Sequence, residues 1–204
     1  GRATTTYTYD NNGNLTQAGS TTYVYDYANR ITQLGFGNST TTYGYDAFGQ
    51  RVTQVGTTST SIYPFKNYSV ASTTGAGAKY STTTLSVSTG DNVLATVEQQ
   101  LNAGSASGAA KTRYIHPDHL GSANVITDDN GYLVETIDYY PFGGQRVVSG
   151  TSTPQRQYIS QYFDPNSSLS YLNARYYEGS RGQFLSQDPV HLVIGNTLQV
   201  KQIT

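Results

Sequence analysis

Tyr23-Val24-Tyr25-Asp26-Tyr27-Ala28-Asn29-Arg30-Ile31-Thr32-Gln33 has a counterpart on either side. Before it stands Tyr7-Thr8-Tyr9-Asp10-Asn11-Asn12-Gly13-Asn14-Leu15-Thr16-Gln17, and after it Tyr43-Gly44-Tyr45-Asp46-Ala47-Phe48-Gly49-Gln50-Arg51-Val52-Thr53-Gln54. The unit is Tyr-x-Tyr-Asp-x-x-(Gly/Asn), then an aliphatic residue and Thr-Gln or a near variant. It recurs roughly every 16 to 20 residues, a short period that signals an array. Two tyrosines two apart point to the same side of a strand, so one face carries an aromatic ladder. An Asp at the first turn position accepts hydrogen bonds from backbone amides two residues on, and Gly three later takes the positive φ that closes the loop. Asn29 stands where the other two units have Gly13 and Gly49, and Asn is the usual substitute in that conformation. Each unit therefore predicts a β-hairpin. A lone hairpin is marginal in water, so the units have to stack and bury their Tyr faces against neighbours. The expected fold is all-β, with hairpins wound into a spiralling antiparallel sheet.

Composition agrees. Of 204 residues 19 are Tyr and none is Trp or Met, and only 12% are charged against 36% apolar, too uncharged for a charge-expanded disordered chain. A net charge of -1 gives no basic footprint, which sets nucleic acid aside as a partner. No apolar run is long enough to span a bilayer, so membrane insertion is not expected. With no cysteine there is neither a disulfide framework nor thiolate chemistry. The chain opens Gly1-Arg2 without a signal-like segment and reads as a piece of a longer or processed protein, any export signal lying upstream.

Residues 1–56 are read as the repeats, and 57–111 as degenerate repeats with a flexible loop. Pro64, in Tyr63-Pro64-Phe65-Lys66, argues against a central strand there. Tyr80 to Val87 and Val93 to Gln99 flank Gly90-Asp91-Asn92 as a hairpin that has lost its signature, with a short helix over Val93 to Leu101 as the alternative. Asn102 to Ala110, all small or polar residues, reads as the flexible loop. In 112–190 a strand resumes at Thr112. Asn130-Gly131 then marks the clearest hairpin, Asn124 to Tyr140, because Asn-Gly is the strongest short-range hairpin signal. Val148 to Pro154 reads as a loop and Gln157 to Phe163 as a strand, while 191–204 forms a truncated C-terminal extension.

This last third carries three particular motifs: His116-Pro117-Asp118-His119-Leu120-Gly121-Ser122, Tyr140-Pro141-Phe142-Gly143, and Tyr171-Leu172-Asn173-Ala174-Arg175-Tyr176-Tyr177 followed by Gly182-Gln183-Phe184-Leu185 and Asp188-Pro189. Their order and spacing, with the repeats before them, resemble the RHS/YD-repeat family, bacterial relatives of the teneurins, whose repeat-associated core corresponds to 112–190. The resemblance implies a structural part of a large secreted or cell-surface shell that encapsulates or displays a C-terminal cargo such as a toxin. The partners it implies are the rest of the same polypeptide, or a polymer of like units, and the enclosed toxin. Aromatic, Thr-rich surfaces also suit stacking on sugar rings, so an adhesive, glycan-binding surface fibre is the alternative.

The candidate core residues are His116, Asp118, His119, Tyr140, Arg175, Tyr176 and Tyr177, and the repeat-turn residues are Asp10, Gly13, Asp26, Asn29, Asp46 and Gly49. His116 and His119 at i, i+3 could begin a metal site, but Pro117 argues against a helix presenting both and His191 is far along the chain, so a structural turn is expected and no metal or cofactor. Arg175 and Arg181 sit among aromatics, where stacking or pairing with an Asp is the simpler reading. Many family members undergo an aspartate-dependent self-cleavage of the core at an Asp-Pro-x-Gly-Leu sequence. Asp188-Pro189-Val190-His191-Leu192 meets that pattern in part, with His191 in place of Gly. Asp164 and Asp188 are therefore the catalytic candidates for an autoproteolytic core, weighed against the ordinary role of Asp in turns. No Gly-x-Ser-x-Gly elbow and no phosphate-cradling loop is present.

Overall fold

A computed structural model describes residues 5–73, 80–150 and 154–188. The repeats form strands that each pair with the next in antiparallel register: β1 (Tyr7–Tyr9), β2 (Leu15–Ala18), β3 (Thr21–Tyr25), β4 (Ile31–Phe36), β5 (Ser39–Tyr45) and β6 (Arg51–Val55). The ladder continues without a crossover through β7 (Ser59–Phe65), β8 (Tyr68–Thr73), β9 (Tyr80–Thr89) and β10 (Asn92–Asn102). The two-residue β11 (Ser105–Ala106) pairs only with β10, and β12 (Lys111–Pro117), β13 (Ala123–Thr127), β14 (Leu133–Tyr139) and β15 (Gln145–Gly150) complete a 15-stranded sheet. A second sheet follows, built from β16 (Tyr162–Asp164), β17 (Leu169–Leu172), β18 (Arg175–Glu178) and β19 (Gln183–Phe184). Between the sheets the chain makes one turn of 3-10 helix at Tyr158–Ser160.

Repeat chemistry accounts for the ladder. Asp10, Asp26 and Asp46 each accept, on one carboxylate oxygen, the amides two and four residues on, at 2.8–2.9 Å. Gly13, Asn29 and Gly49 adopt φ of 77°, 58° and 82°. Units are then tied to each other by the second tyrosine: the Tyr25 hydroxyl donates to the Leu15 carbonyl at 2.9 Å and the Tyr45 hydroxyl to that of Ile31 at 2.6 Å. In the second and third units the first tyrosine, Tyr23 or Tyr43, points into the core, whereas Tyr7 of the first unit is exposed.

Several stretches depart from the expectations. The segment around Pro64 is a central strand, but the β7–β8 register shifts between Ile62 and Phe65 and the β6–β7 pairing stops at Ile62, so Pro64 is never asked to donate to a ladder. Val93 to Leu101 lies in β10, paired antiparallel with β9, so here the hairpin that was expected forms and the alternative helix does not. The supposed flexible loop after Asn102 folds back as β11, since Ala103 and Gly104 take φ of 50° and 83° and close a tight turn. Val148 to Gly150 extends β15 instead of opening a loop, and 151–153 lie outside the described residues. Gln157 to Phe163 holds the 3-10 turn at Tyr158–Ser160, because the chain bends here from one sheet to the other; only Tyr162 and Phe163 are in a strand. The extension 191–204, with His191, also lies outside the described residues.

Two apolar clusters result. Leu15, Tyr23, Ile31, Leu34 and Tyr43 of the large sheet pack with Leu169, Tyr171, Tyr176 and Leu185 of the second sheet. Val93, Ile115, Ala123, Ile126 and Ile137 form the other, within the later strands of the large sheet. The second sheet thus covers the aromatic face of the repeats and leaves the opposite, Thr-rich face bare.

Candidate functional site

In the register of the repeats, Tyr9 faces Leu15, Tyr25 faces Ile31 and Tyr45 faces Arg51. The third unit therefore places a guanidinium where the other two place a buried aliphatic side chain. Arg51 is 5% exposed, and its Nη1 donates to Oδ2 of Asp164 at 2.7 Å and to the Tyr176 hydroxyl at 3.0 Å. Nη2 reaches the Tyr63 hydroxyl at 3.3 Å. The tyrosine rings crowd round: the guanidinium carbon lies 4.7 Å from the Tyr171 centroid and 4.8 Å from that of Tyr63, with Tyr43, Tyr162 and Tyr176 within 6 Å. Backbone joins in, as the Arg51 amide donates to the Tyr171 hydroxyl at 3.1 Å.

Asp164 ends β16 and is 2% exposed. Burial pushes its carboxyl up from the ordinary value, and Arg51 opposes this only in part. Burial would pull the Arg51 guanidinium down, but Asp164 and Tyr176 outweigh it, so Arg51 stays charged. A buried ion pair with each remaining group bonded is a poor source of net stability but a strong constraint on geometry, because any other docking of the second sheet strands two charges out of water. The chemistry of this site is that of a lock between sheets.

The C-terminal end of the second sheet is fastened separately. The Leu15 amide donates to the Leu185 carbonyl at 2.8 Å, which also accepts from the Tyr25 hydroxyl at 3.1 Å. Asp188 binds Arg175 at 2.8 Å, and the Arg175 guanidinium lies 3.7 Å above the ring of Phe184. Asp164 and Asp188 are thus each held by an arginine of their own. Arg181 pairs with Glu178 and lies over the ring of Tyr7 at 4.3 Å. Tyr176 is in the lock, while Tyr177 stacks with Tyr158 at 6.3 Å and donates to the Phe142 carbonyl.

The His116–Ser122 motif is a further copy of the repeat turn. Asp118 accepts the amides of Leu120 and Ser122 at 2.8 Å, and Gly121 takes φ of 84°. His116 bonds to Thr127 and His119 is exposed, so the two do not converge, and no group of three metal-binding side chains occurs among the described residues. The turn instead holds the connection between sheets: the Ser122 hydroxyl accepts the Ile159 amide at 3.1 Å, and the Ser160 hydroxyl donates to the Gly121 carbonyl at 2.8 Å. Ile159, a β-branched residue at φ 46°, is held there against its preference. Tyr140 is exposed at the start of the turn that follows β14.

Residues 1–203 match the Teneurin YD-shell family. The chain belongs to that family. It is 30% identical over 111 residues to Double-stranded DNA deaminase toxin A of Burkholderia cenocepacia, covering 52% of this chain and 8% of that protein. It is also 30% identical over 92 residues to Toxin subunit YenC1 of Yersinia entomophaga, covering 42% of this chain and 9% of that one. Its fold superimposes on part of the crystal structure of TcdB2-TccC3-TEV with a TM-score of 0.78 at 18% identity, covering 89% of this chain and 10% of that chain. The YD-shell segment described here therefore spans less than a tenth of the curated relatives it matches. Its spiralling antiparallel sheet is the architecture of these shells.

Arg51 and its ring of tyrosines were not legible as a site in the sequence. The one available signal was a cation at a position that Leu15 and Ile31 fill with aliphatic groups.

Proposed function

We propose that this YD-shell segment is a structural wall of a secreted, extracellular particle that encloses a C-terminal toxic cargo. The observation that supports this best is the second sheet seated on the aromatic face of the repeats and locked there by Arg51 and Asp164. It makes a ribbon of hairpins into a two-layered wall of fixed curvature, which a container requires and a flexible tether does not. Two of the relatives are named as toxins, in keeping with such a cargo. The reading is tested by electron microscopy of the intact native protein: closed hollow particles with internal density are expected, and thin filaments or open ribbons would overturn it in favour of a surface fibre.

The burial of Tyr23 and Tyr43 favours the wall over the alternative of an adhesive, glycan-binding fibre that uses these rings as its contact surface. For self-cleavage, Asp188 at the end of the second sheet is the residue to replace. If Asp188→Asn leaves the fragment pattern of the native protein unchanged, that residue has no catalytic part.

A further inference from the structure

A cleft of about 500 Å³ opens beside the lock between the two sheets, a volume in the range of small-molecule sites. Asp46, Gln50, Tyr63 and Phe65 line it from the side of the large sheet, and Tyr162 and Asn173 from the side of the second. A comparison of the three repeat turns shows what sets its polar wall apart. Asp10, Asp26 and Asp46 each commit one carboxylate oxygen to the amides of their own turn. In the first unit the other oxygen accepts from Asn14 Nδ2 at 2.8 Å, and in the second it binds Arg30 at 2.7 Å. Gln50 holds the corresponding position in the third unit, and its side chain makes no such bond. Among the described residues, Oδ2 of Asp46 and the side-chain amides of Gln50 and Asn173 have no hydrogen-bonding partner, and all three residues line the cleft.

The cations around the cleft are engaged already. Arg51 is held by Asp164 and Tyr176, Arg156 donates to the Ser160 and Lys66 carbonyls at 3.2 and 2.7 Å, and Lys66 pairs with Asp91 at 3.2 Å. An anionic ligand would therefore meet the Asp46 carboxylate without a free cation to offset it. The apolar part of the wall is aromatic: Phe65 is 70% exposed, and Tyr63 and Tyr162 meet edge to face at 5.0 Å. An open aromatic face beside planar amides and a carboxylate suits a neutral polyol ring, whose C–H face lies on the aromatic ring while its hydroxyls donate to and accept from the planar groups. We infer that this cleft is a saccharide site, for one or two rings of a β-linked, gluco-configured sugar. The equatorial hydroxyls of such a ring leave both its faces to C–H groups, so one face can lie on Phe65 while the edge meets Asp46, Gln50 and Asn173. The sugar touches both sheets and therefore strengthens their docking. This site is separate from the buried tyrosine ladder, and it stands whether the particle is a closed shell or an open ribbon.

The intact native protein is titrated with cellobiose, a β-linked glucose disaccharide, while its aromatic protons are irradiated, and saturation transfer to the sugar's ring protons is read by NMR. A saturable signal is expected. Replacing Gln50→Ala together with Asn173→Gly should weaken binding about tenfold or more, because those two amides bond to nothing but the sugar. The fold should survive, since neither side chain is bonded and Asn173, at φ 59°, already has a conformation that glycine takes freely. Phe65→Ala should weaken binding as well, whereas Tyr27→Ala, at the exposed tip of the second unit's turn, should leave it unchanged. Cellobiose should also raise the melting temperature of the native protein and not that of the double variant. No saturable transfer, or equal affinity in the double variant, overturns the inference. Equal binding of mannitol, a polyol with no ring face to stack, overturns it too.

Discussion

One carboxylate oxygen of Asp46 accepts two amides, those of Phe48 and Gln50 at 2.9 and 2.8 Å, and this small arrangement is what the repeat's Asp is for. Asp46→Ala should destabilise the protein by about 1–2 kcal/mol, while Asp46→Asn, which keeps an acceptor, should cost less than half as much in denaturant unfolding. Asp26 adds an ion pair with Arg30 at 2.7 Å. Its partial burial raises the carboxyl, but the hydrogen bonds and charge of Arg30 outweigh this and leave it below the ordinary value. A lowered folded value means that the unfolded chain takes up the proton first. The stability Asp26 contributes is therefore present above the ordinary carboxylate range and lost as pH falls through its depressed value. Asp26→Asn should flatten the acid limb of a stability-against-pH curve. Tyrosines act at the other end. Burial pushes the phenols of Tyr23 and Tyr63 up to about 12, so they favour the folded state below the ordinary value of 10.0 and that contribution is lost as pH rises towards 12. Absorbance titration should show these phenols ionising only with alkaline unfolding.

At the scale of the hairpin, a positive φ alone does not decide whether a glycine is needed. Gly49 and Gly143 have nearly the same φ, 82° and 83°. A Cβ at Gly49 meets only the end of the flexible Arg30 side chain at 3.6 Å, whereas one at Gly143 runs into the ring of Tyr158. Gly49→Asn should change stability by less than about 1 kcal/mol, as Asn29 in the equivalent turn suggests, and Gly143→Asn should cost more than about 2 kcal/mol. Thermal melts of the two variants side by side check this. The turns were legible in the sequence because a positive φ and an Asx bond are local demands met by local residues. Pro64 and the stretch after Asn102 were misread for a matching reason: whether a residue donates to a ladder depends on the register of neighbours distant in the chain, which composition does not report.

For the whole molecule the decisive joint is the one between sheets. Arg51→Met leaves Asp164 buried without its partner and should cost about 3–5 kcal/mol. Adding Asp164→Leu should recover much of that loss, since the pair is a constraint more than a source of net stability, and chemical denaturation of the single and double variants measures it. That the chain would be all-β, with hairpins paired in sequence order and closed by Asp turns, was determined by the sequence by itself, because each hairpin is specified by residues within about a dozen positions of one another. Only the tertiary structure decided that the tyrosine face would be buried beneath a second sheet, that Arg51 and Asp164 would meet, and that the His116–Ser122 turn would anchor the connection between sheets. Those contacts join residues far apart in the chain, 113 positions in the case of Arg51 and Asp164, and nothing in either local neighbourhood encodes the other.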